Sequence, residues 1–556
     1  MRMTGAEILV NCLIEQDVDT VFGFPGGAVL YIYDALYQYQ DKINHILTCH
    51  EQHAAHAADG YARSTGKTGV VIATSGPGAS NLVTGIATAY MDSVPMVAIT
   101  GNVSLGLLGK DSFQEIDITG VTMPITKHNF IIKDVNELAD TVRSAFEIAN
   151  TGRPGPVLID IPKDITATLT DYTPGKPRKI KRQTDTITKD ALEKTAQLIN
   201  EAKRPLIYAG GGVIASEAAE ELKKFAYHIG APVTLSLMGI GAYPATDPYY
   251  TGMIGMHGTM TSSLAVTECD LLIAIGSRFS DRVICKASTF AKNAKIVHID
   301  IDPAEIGKNV PVVQSVIGDV KEVLKRLEKE VDKNGHKDWL DQIVRWKEQY
   351  PIDMNDETCL MPQHIIETAW EMIRDNGIIT TEVGQHQMWV GQYLQTDRPR
   401  SFVTSGGLGT MGFGLGAAIG AQIANPDKRV INIAGDGSFH MNLAELATAV
   451  TYELPVIEII INNNVLGMVR QWQKMFYDKR YSHTTLNRKT DYKKLAEAFG
   501  ALGFVVEKKE DFAPALKEAL ASGKPCVIDC HIGCDVNVLP MVPSGAPIET
   551  PVLELD

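Results

Sequence analysis

Two turns in the last third of the chain carry oxygen ligands that suit a divalent metal. RVINIAGDGSFHMNLAELATAV reads as strand, turn and helix, and VIEIIINNNVLGMVRQWQ repeats the pattern. Gly435, Asp436 and Gly437 thus precede Asn462 and Asn463 by one helix and one strand, which can set both turns side by side at the carboxyl edge of a parallel sheet. Asp436 offers a carboxylate oxygen and Asn463 an amide oxygen. Mg2+ prefers such hard ligands and completes its shell with phosphate oxygens. The glycines let backbone amides approach a diphosphate. Taken singly, a GDG is a common turn and an asparagine run a common loop. The separation and the strand–turn–helix setting make the pair informative.

Other residues admit chemistry with a plainer alternative beside it. Glu51 follows a strand and opens a helix in INHILTCHEQHAAHAADGYAR. On residue chemistry alone it reads first as a complement to the helix dipole. SGGLGTMGFG contains G-x-G-x-x-G at Gly407, Gly409 and Gly412. The strand before it is short, and Asp427 falls in a turn instead of ending the next strand, so a dinucleotide fingerprint is set aside there. In the middle of the chain Gly210, Gly211 and Gly212 follow the strand RPLIYA, and Gly255, Met256 and His257 sit in GMIGMHG. Arg278, Asp281 and Arg282 sit in SRFSDR, and Asp300 and Asp302 end KIVHIDID. Arginines pair with phosphates and strand-end acids hold ribose hydroxyls. Packing glycines and surface ion pairs account for the same residues. Trp472 alone reads as a helix tryptophan on a core face. Cys526, Cys530, His531 and Cys534 lie along an alternating strand without the spacings of a structural zinc site.

The elements that must position these residues are short Val/Ile-rich strands, each ending in Gly, Asp, Asn or Pro: TGVVIATSG, SVPMVAITG, GPVLIDIP, RPLIYAGGG, DLLIAIGS, KIVHIDID, KRVINIAGDG and LPVIEIIINNN. Amphipathic segments separate them, which indicates an α/β chain of parallel sheets covered by helices on both faces. Ligands in such sheets sit at the carboxyl ends of strands. Two polar stretches, about 168–190 and 330–362, read as linkers and divide 556 residues into three doubly wound blocks, 1–168, 190–330 and 362–535, with a tail at 536–556.

Composition narrows the function. The net charge of −14 is a poor footprint for nucleic acid, and the basic run KPRKIKR at 176–182 reads as a solvated linker. No apolar run approaches the ~18 residues of a membrane span. No signal or transit pattern opens the chain, and the eight cysteines form no CxxC pair, so a reducing, cytoplasmic setting is expected, or a chain already processed.

The GDG-then-NN arrangement resembles the diphosphate motif of thiamine-diphosphate enzymes, and HEQHAAHAADGYAR is similar to the helix that carries their catalytic glutamate. FGFPGGAV, TSGPGASN, TAYMDSVPM, FQEID, KHNF, TGRPGPVLIDIPKD, SRFSDR, VGQHQMW, SGGLGTMGFGLGAAIGAQ and GMVRQWQ extend the likeness over essentially the whole chain. They look like acetohydroxyacid synthase. VGQHQMW and GMVRQWQ separate that family from decarboxylases and oxidases of the same fold.

The resemblance implies that Glu51 hydrogen-bonds a ring nitrogen of the cofactor's aminopyrimidine and promotes proton loss from the thiazolium carbon. Gly27 would offer a backbone N–H to a developing oxyanion. Phe113, Gln114 and Lys163 would shape the substrate entrance. Val383, Gly384, Gln385, His386, Gly409, Gly435, Gly437, Ser438, Val465, Leu466, Gly467 and Met468 would surround thiamine diphosphate, with Met411 wedged beneath it. Asp436, Asn463 and the Val465 carbonyl would hold Mg2+. Met468 and Trp472 would face substrate. The middle block, with Arg153 and Asp319, would hold FAD without net redox use: Gly210, Gly211, Gly212, Gly255, Met256, His257, Arg278, Asp281, Arg282, Asp300 and Asp302.

The activity so implied is decarboxylation of pyruvate and joining of its two-carbon fragment to pyruvate or 2-ketobutyrate, for branched-chain amino-acid biosynthesis. The site is expected between two chains, Glu51 from one and the metal ligands from the other, in a homodimer or dimer of dimers with a small regulatory subunit. Ser104 and Gly416 stand where many members carry proline. The first puts inhibitor sensitivity in doubt, and the second is expected to matter little. The rivals are a pyruvate oxidase, a flavin-free acetolactate synthase and a catalytically silent homologue.

Overall fold

Three six-stranded parallel sheets follow one another along the chain in the computed structural model, which describes residues 1–555. In the first, the strands lie in the spatial order Asn44–Leu47, Thr20–Phe24, Gly69–Ala73, Met96–Asn102, Pro156–Pro162 and His128–Ile131. In the third, the order is Phe402–Val403, Gly377–Thr381, Arg429–Gly435, Ile457–Asn462, Cys526–His531 and Leu502–Val506. Counted along the chain, both read 2-1-3-4-6-5, so these two blocks share one topology. Their order reverses beside the first strand, and the crevice for a ligand opens at the carboxyl ends of strands one and three.

The middle sheet is wound differently. Tyr250–Met253, Val233–Leu235, Pro205–Ala209, Leu271–Ile275, Lys295–Asp300 and Gln314–Ile317 read 3-2-1-4-5-6, the order of dinucleotide-binding sheets. Its crevice opens between the ends of Pro205–Ala209 and Leu271–Ile275, where Gly210 and Gly276 begin the loops. A small antiparallel pair, Arg2–Thr4 with Leu169–Asp171, closes the first block.

The strands form because short β-branched runs are buried on both faces. Gly69–Ala73, Met96–Asn102 and Pro156–Pro162 are buried throughout. Amphipathic helices cover them, as in Leu138–Asn150, which buries Leu138, Val142, Ala145, Phe146 and Ala149.

The first and third blocks meet along two helices, Glu51–Thr65 and Gly414–Ala424. The axes approach closely because glycine faces backbone at the crossing: a Cβ on Gly60 would run into the Ala417 carbonyl, and one on Gly420 into that of Ala57. Gly416 belongs to the same contact. A Cβ there would lie 3.0 Å from that of His56, so the residue expected to matter little packs directly against the helix that carries Glu51.

The stretch 330–362 is not simply a linker. It contains the helix Lys337–Gln349, whose Trp339 and Ile343 are buried in the core of the middle block. The Trp339 indole N–H donates to the Pro205 carbonyl at 2.9 Å. Charged residues between the apolar ones hid a helical period in a segment that looked uniformly polar. Beyond 535 the chain folds back. Val538, Met541, Val542 and Ile548 are buried, and the Val542 amide donates to Met256 at 2.7 Å.

Candidate functional site

The third sheet builds a cleft at its switch point. Gly377–Thr381 runs into Val383, Gly384, Gln385 and His386, and Arg429–Gly435 runs into Asp436, Gly437 and Ser438. Gly435 is paired directly with Ile461, so the next strand delivers Asn463, Val465, Leu466, Gly467 and Met468 to the same edge. Met411 enters from the loop before Gly414–Ala424. Every residue lining this cleft belongs to the third block. Trp389, Ile461 and Val469 line it as well and were not foreseen. Gly409 stands just behind, where a Cβ would lie 4.0 Å from Val383 Cγ1.

The cleft has the chemistry of a metal–diphosphate site. Asp436 is 3% exposed, and its Oδ1 has no hydrogen-bond partner. Burial pushes its carboxyl up to about 6, a cost that a divalent cation would relieve. Asn463 Oδ1 accepts only a long 3.3 Å bond from the Val465 amide, while its Nδ2 donates to Gln385 at 3.1 Å. The amide oxygen therefore stays available to a cation. His386 is buried with Nε2 unpartnered, and burial pushes its ring down to about 3, so it enters the cleft neutral.

Beneath the cleft lies a carboxylate that the sequence did not announce. Glu382 follows the strand Gly377–Thr381 and has no exposed surface. It accepts from the Gly412 amide at 2.8 Å, the Leu415 amide at 3.1 Å, the Ser438 hydroxyl at 2.7 Å and the Asn442 amide group. Glu382 thus joins the Met411 loop to the GDG turn. Behind it, the Asn432 amide donates to both oxygens of Glu458 at 2.9 Å. Burial, then the charge of Glu382, pushes Glu458 well above the ordinary carboxylate range. An isolated acid at the end of an apolar strand gave no signal that four donors would converge on it.

The first sheet assembles the other candidate residues at its own carboxyl edge. Glu51 starts the helix Glu51–Thr65, is 9% exposed, and accepts a 2.9 Å bond from the Asn81 amide group. A Cβ on Gly78 would lie 3.1 Å from Glu51 Oε1, so the short helix Pro77–Asn81 supports the carboxylate from two positions. Gly27 is exposed, with nothing within 4 Å of where its Cβ would be. Gln114 adopts a positive φ of 59° and packs its backbone against Gly76, while Phe113 is 87% exposed. Lys163 opens the helix that follows Pro156–Pro162, the strand next to Met96–Asn102.

In the middle block the glycines answer partly to packing. A Cβ on Gly210 would strike the Gly276 carbonyl, and one on Gly212 would lie 2.7 Å from Gly276 Cα. Only Gly211 faces freer space, 3.3 Å from the Met238 carbonyl. Ser277 Oγ, in the loop after Leu271–Ile275, and His257 Nδ1, in the loop after Tyr250–Met253, are buried without partners. A Cβ on Gly255 would meet the Arg282 carbonyl at 2.5 Å, and the Met256 amide donates to that oxygen at 2.7 Å. Several charged candidates are already engaged. Asp319 caps the helix Val320–Glu330 and accepts from Arg182 and Ser216, and Arg153 holds Asp302 and Glu305. Asp300 accepts the Asp302 amide at 2.9 Å, and Asp281 is exposed with Arg282 3.7 Å away. Arg278 lies at the domain boundary, 3.0 Å from where a Gly407 Cβ would be. Arg282 lies over the Trp472 ring, 5.6 Å from its centre, a contact that neither sequence motif revealed.

The G-x-G-x-x-G loop is spoken for by protein groups. Asp92 accepts the Gly406 amide at 3.0 Å and the Gly407 amide at 2.6 Å, and Glu382 takes that of Gly412.

Comparison with known proteins supplies the family. Models of the thiamine pyrophosphate enzyme family match in three parts: the N-terminal TPP binding domain over residues 3–121, the central domain over 192–327, and the C-terminal TPP binding domain over 382–530. The acetolactate synthase large subunit of Cyanidium caldarium is 46% identical over 559 residues, covering 98% of this chain and 95% of its own. The one from Corynebacterium glutamicum is 47% identical, covering 98% and 89%. The chain belongs to the acetolactate synthase large-subunit family. The match of the C-terminal TPP binding domain begins at Glu382 and contains every residue that lines the third-sheet cleft. The acetolactate synthase large subunit of Parasynechococcus marenigrum is 48% identical, covering 98% of this chain and 90% of its own. No helix among the described residues is long and apolar enough to cross a membrane.

Proposed function

We propose that the chain is an acetohydroxyacid synthase: it decarboxylates pyruvate and transfers the two-carbon fragment to a second pyruvate, giving 2-acetolactate, or to 2-ketobutyrate, giving 2-aceto-2-hydroxybutyrate. The observation that carries this reading is the unpartnered Asp436 oxygen beside Asn463 in a glycine-lined cleft. Asp436, Asn463 and the Val465 carbonyl would hold Mg2+, and the metal would bind the diphosphate of the cofactor. When bound, thiamine diphosphate supplies a nucleophilic carbon and an electron sink for the loss of CO2.

The chain's own residues do the rest. His386, being neutral, can donate to a diphosphate oxygen without carrying a charge into the cleft. Met411 would lie beneath the cofactor, and Glu382 fixes its loop relative to Ser438. Glu51 would share its carboxyl proton with a pyrimidine ring nitrogen, with Asn81 and Gly78 fixing its carboxylate. Gly27 presents an open backbone, Lys163 a cation for a carboxylate substrate, and Gln114 and Phe113 the rim.

Glu51 comes from the first sheet, whereas only third-block residues line the diphosphate cleft. Two copies of the chain facing each other would complete two sites, which favours a homodimer, alone or doubled. The middle sheet's order 3-2-1-4-5-6 and the unpartnered Ser277 and His257 fit FAD at that crevice, without net redox use. The words "large subunit" in the relatives' names favour a small regulatory partner.

The test is product analysis of purified protein given pyruvate, with and without thiamine diphosphate, Mg2+ and FAD. Cofactor-dependent 2-acetolactate without oxygen uptake is expected. Oxygen-dependent acetyl phosphate or acetate would mark an oxidase instead.

A further inference from the structure

The turn that presents Glu51 is held by a residue of the third block. Glu445 has no exposed surface. Its Oε1 accepts the Cys49 amide at 3.1 Å and the His50 amide at 3.0 Å, and its Oε2 accepts the Thr448 hydroxyl at 2.6 Å. Around it the same segment makes further ties: Cys49 Sγ donates to the Ala444 carbonyl at 3.2 Å, and the Leu47 amide donates to the Tyr452 hydroxyl at 2.8 Å. These bonds cover the end of the strand Asn44–Leu47 and the start of the helix Glu51–Thr65. At the far end of that helix Arg63 is tied to Asp92 at 2.9 Å and to the Thr404 carbonyl at 2.9 Å. The helix is therefore pinned at both ends, and Glu445 is the pin beside the reacting end.

A buried carboxylate is costly unless several donors converge on it. Burial pushes Glu445 up, and Thr448, Cys49 and His50 pull it back. An apolar side chain would fill the same space more cheaply, yet it could not accept two successive amides ahead of a helix. Those amides fix the backbone from which the Glu51 carboxylate projects. A displacement of about 1 Å at such a group can cost a hundredfold in rate.

We propose that Glu445 is a positioning residue for Glu51, acting through the Cys49 and His50 amides and touching neither cofactor nor substrate. This rests on the reading of Glu51 as the group that acts on the cofactor. The segment that bears Glu445 also continues from Asp436 through Ser438, which donates to Glu382, and Asn442, which does the same. The metal turn and the Glu51 turn of one chain are thus parts of one hydrogen-bonded piece.

The experiment compares wild type with Glu445→Gln and Glu445→Ala in two measurements. The first is amide hydrogen exchange over residues 45–56 in cofactor-free protein. Exchange at Cys49 and His50 should rise about tenfold or more in the alanine variant and less in the glutamine variant, which keeps one acceptor oxygen. The second is loss of the C2 proton of bound thiamine diphosphate to deuterated solvent, set beside the affinity for the Mg2+ cofactor. C2 exchange should slow by about tenfold or more in Glu445→Ala, recover in part in Glu445→Gln, and leave cofactor affinity within about threefold. Unchanged amide exchange in both variants overturns the clamp. Loosened amides with undiminished C2 exchange overturn the positioning role. Equal loss of affinity and C2 exchange would mark a merely structural residue and overturn it too. Wild-type protein that binds the cofactor without accelerating C2 exchange would instead remove the underlying reading of Glu51. If the alanine variant does not fold, both measurements on the glutamine variant decide.

Discussion

The Ser438 hydroxyl donates a 2.7 Å hydrogen bond to Glu382, and through that one carboxylate the turn at 435–438 and the Met411 loop share an anchor. Glu382→Ala takes a shared acceptor from two amides, a hydroxyl and an amide group in a buried site. The expected cost is about 3 kcal/mol or more in unfolding free energy, with weaker cofactor binding. Glu382→Gln, which keeps one acceptor oxygen, should cost less. Urea unfolding and a cofactor titration followed by intrinsic fluorescence measure both. Unchanged stability in the alanine variant would show that the donors find other partners.

Glu51 receives one side-chain donor, from Asn81, and lies against Gly78. Replacing it by glutamine keeps its shape and removes its charge. Turnover should fall by about 10²–10⁴-fold, the range of general acid–base catalysis, while affinity for the Mg2+ cofactor stays within a few-fold. Steady-state rates and a binding isotherm on the same preparation test this. Near-normal turnover would take Glu51 out of the reaction.

Trp472 lies under the Arg282 guanidinium with its indole N–H buried and unpartnered. In the role proposed for it, facing substrate, its flat ring would favour 2-ketobutyrate over pyruvate through one methylene, worth about 1–3 kcal/mol. Trp472→Leu should reduce that preference by about tenfold or more while 2-acetolactate formation persists. Competition between the two ketoacids, read as a product ratio, gives the answer. A ratio equal to wild type would place the selectivity elsewhere.

His53 sits two residues into the helix Glu51–Thr65, 5% exposed, with Nδ1 unpartnered. Burial, and then the charge of His50, pushes its pKa down to about 4. The folded state therefore refuses a proton that the unfolded chain takes near 6.5. The stability involved is fully present above that unfolded value and is lost as pH falls toward 4. Other buried histidines, His257 and His386 among them, add to the same trend. Between pH 6 and 4.5, His53→Gln should reduce the slope of stability against pH by up to one proton, about 1.4 kcal/mol per pH unit. Urea melts across that range measure it. A slope unchanged from wild type would mean that His53 titrates alike in both states.

What the sequence disclosed followed from local rules. Asp436 and Asn463 were legible because each follows an apolar strand and precedes a helix, so their strands had only to be neighbours, and Gly435 does pair with Ile461. Glu51 is legible as a helix start, and the role proposed for it rests on the family's motif. Residues whose role is set by distant partners stayed hidden. Glu382 and Glu445 are single acids in ordinary strand and turn settings, and their donors come from up to 396 positions away. Gly210 and Gly212 fit a phosphate loop in sequence, while in space both meet Gly276. The helix Lys337–Gln349 reads as linker in sequence because its apolar residues are few, although Trp339 and Ile343 recur at a helical interval.

The central claim is that Glu51 of one chain serves the metal turn of another. Co-expression of Glu51→Gln and Asp436→Ala chains under two affinity tags, with purification through both, isolates the mixed dimer. Such a dimer holds one doubly altered site and one intact site. Each altered chain alone should be almost inactive, and the mixed dimer should recover about half of the wild-type turnover. A mixed dimer as inactive as its parents would contradict a site shared between chains.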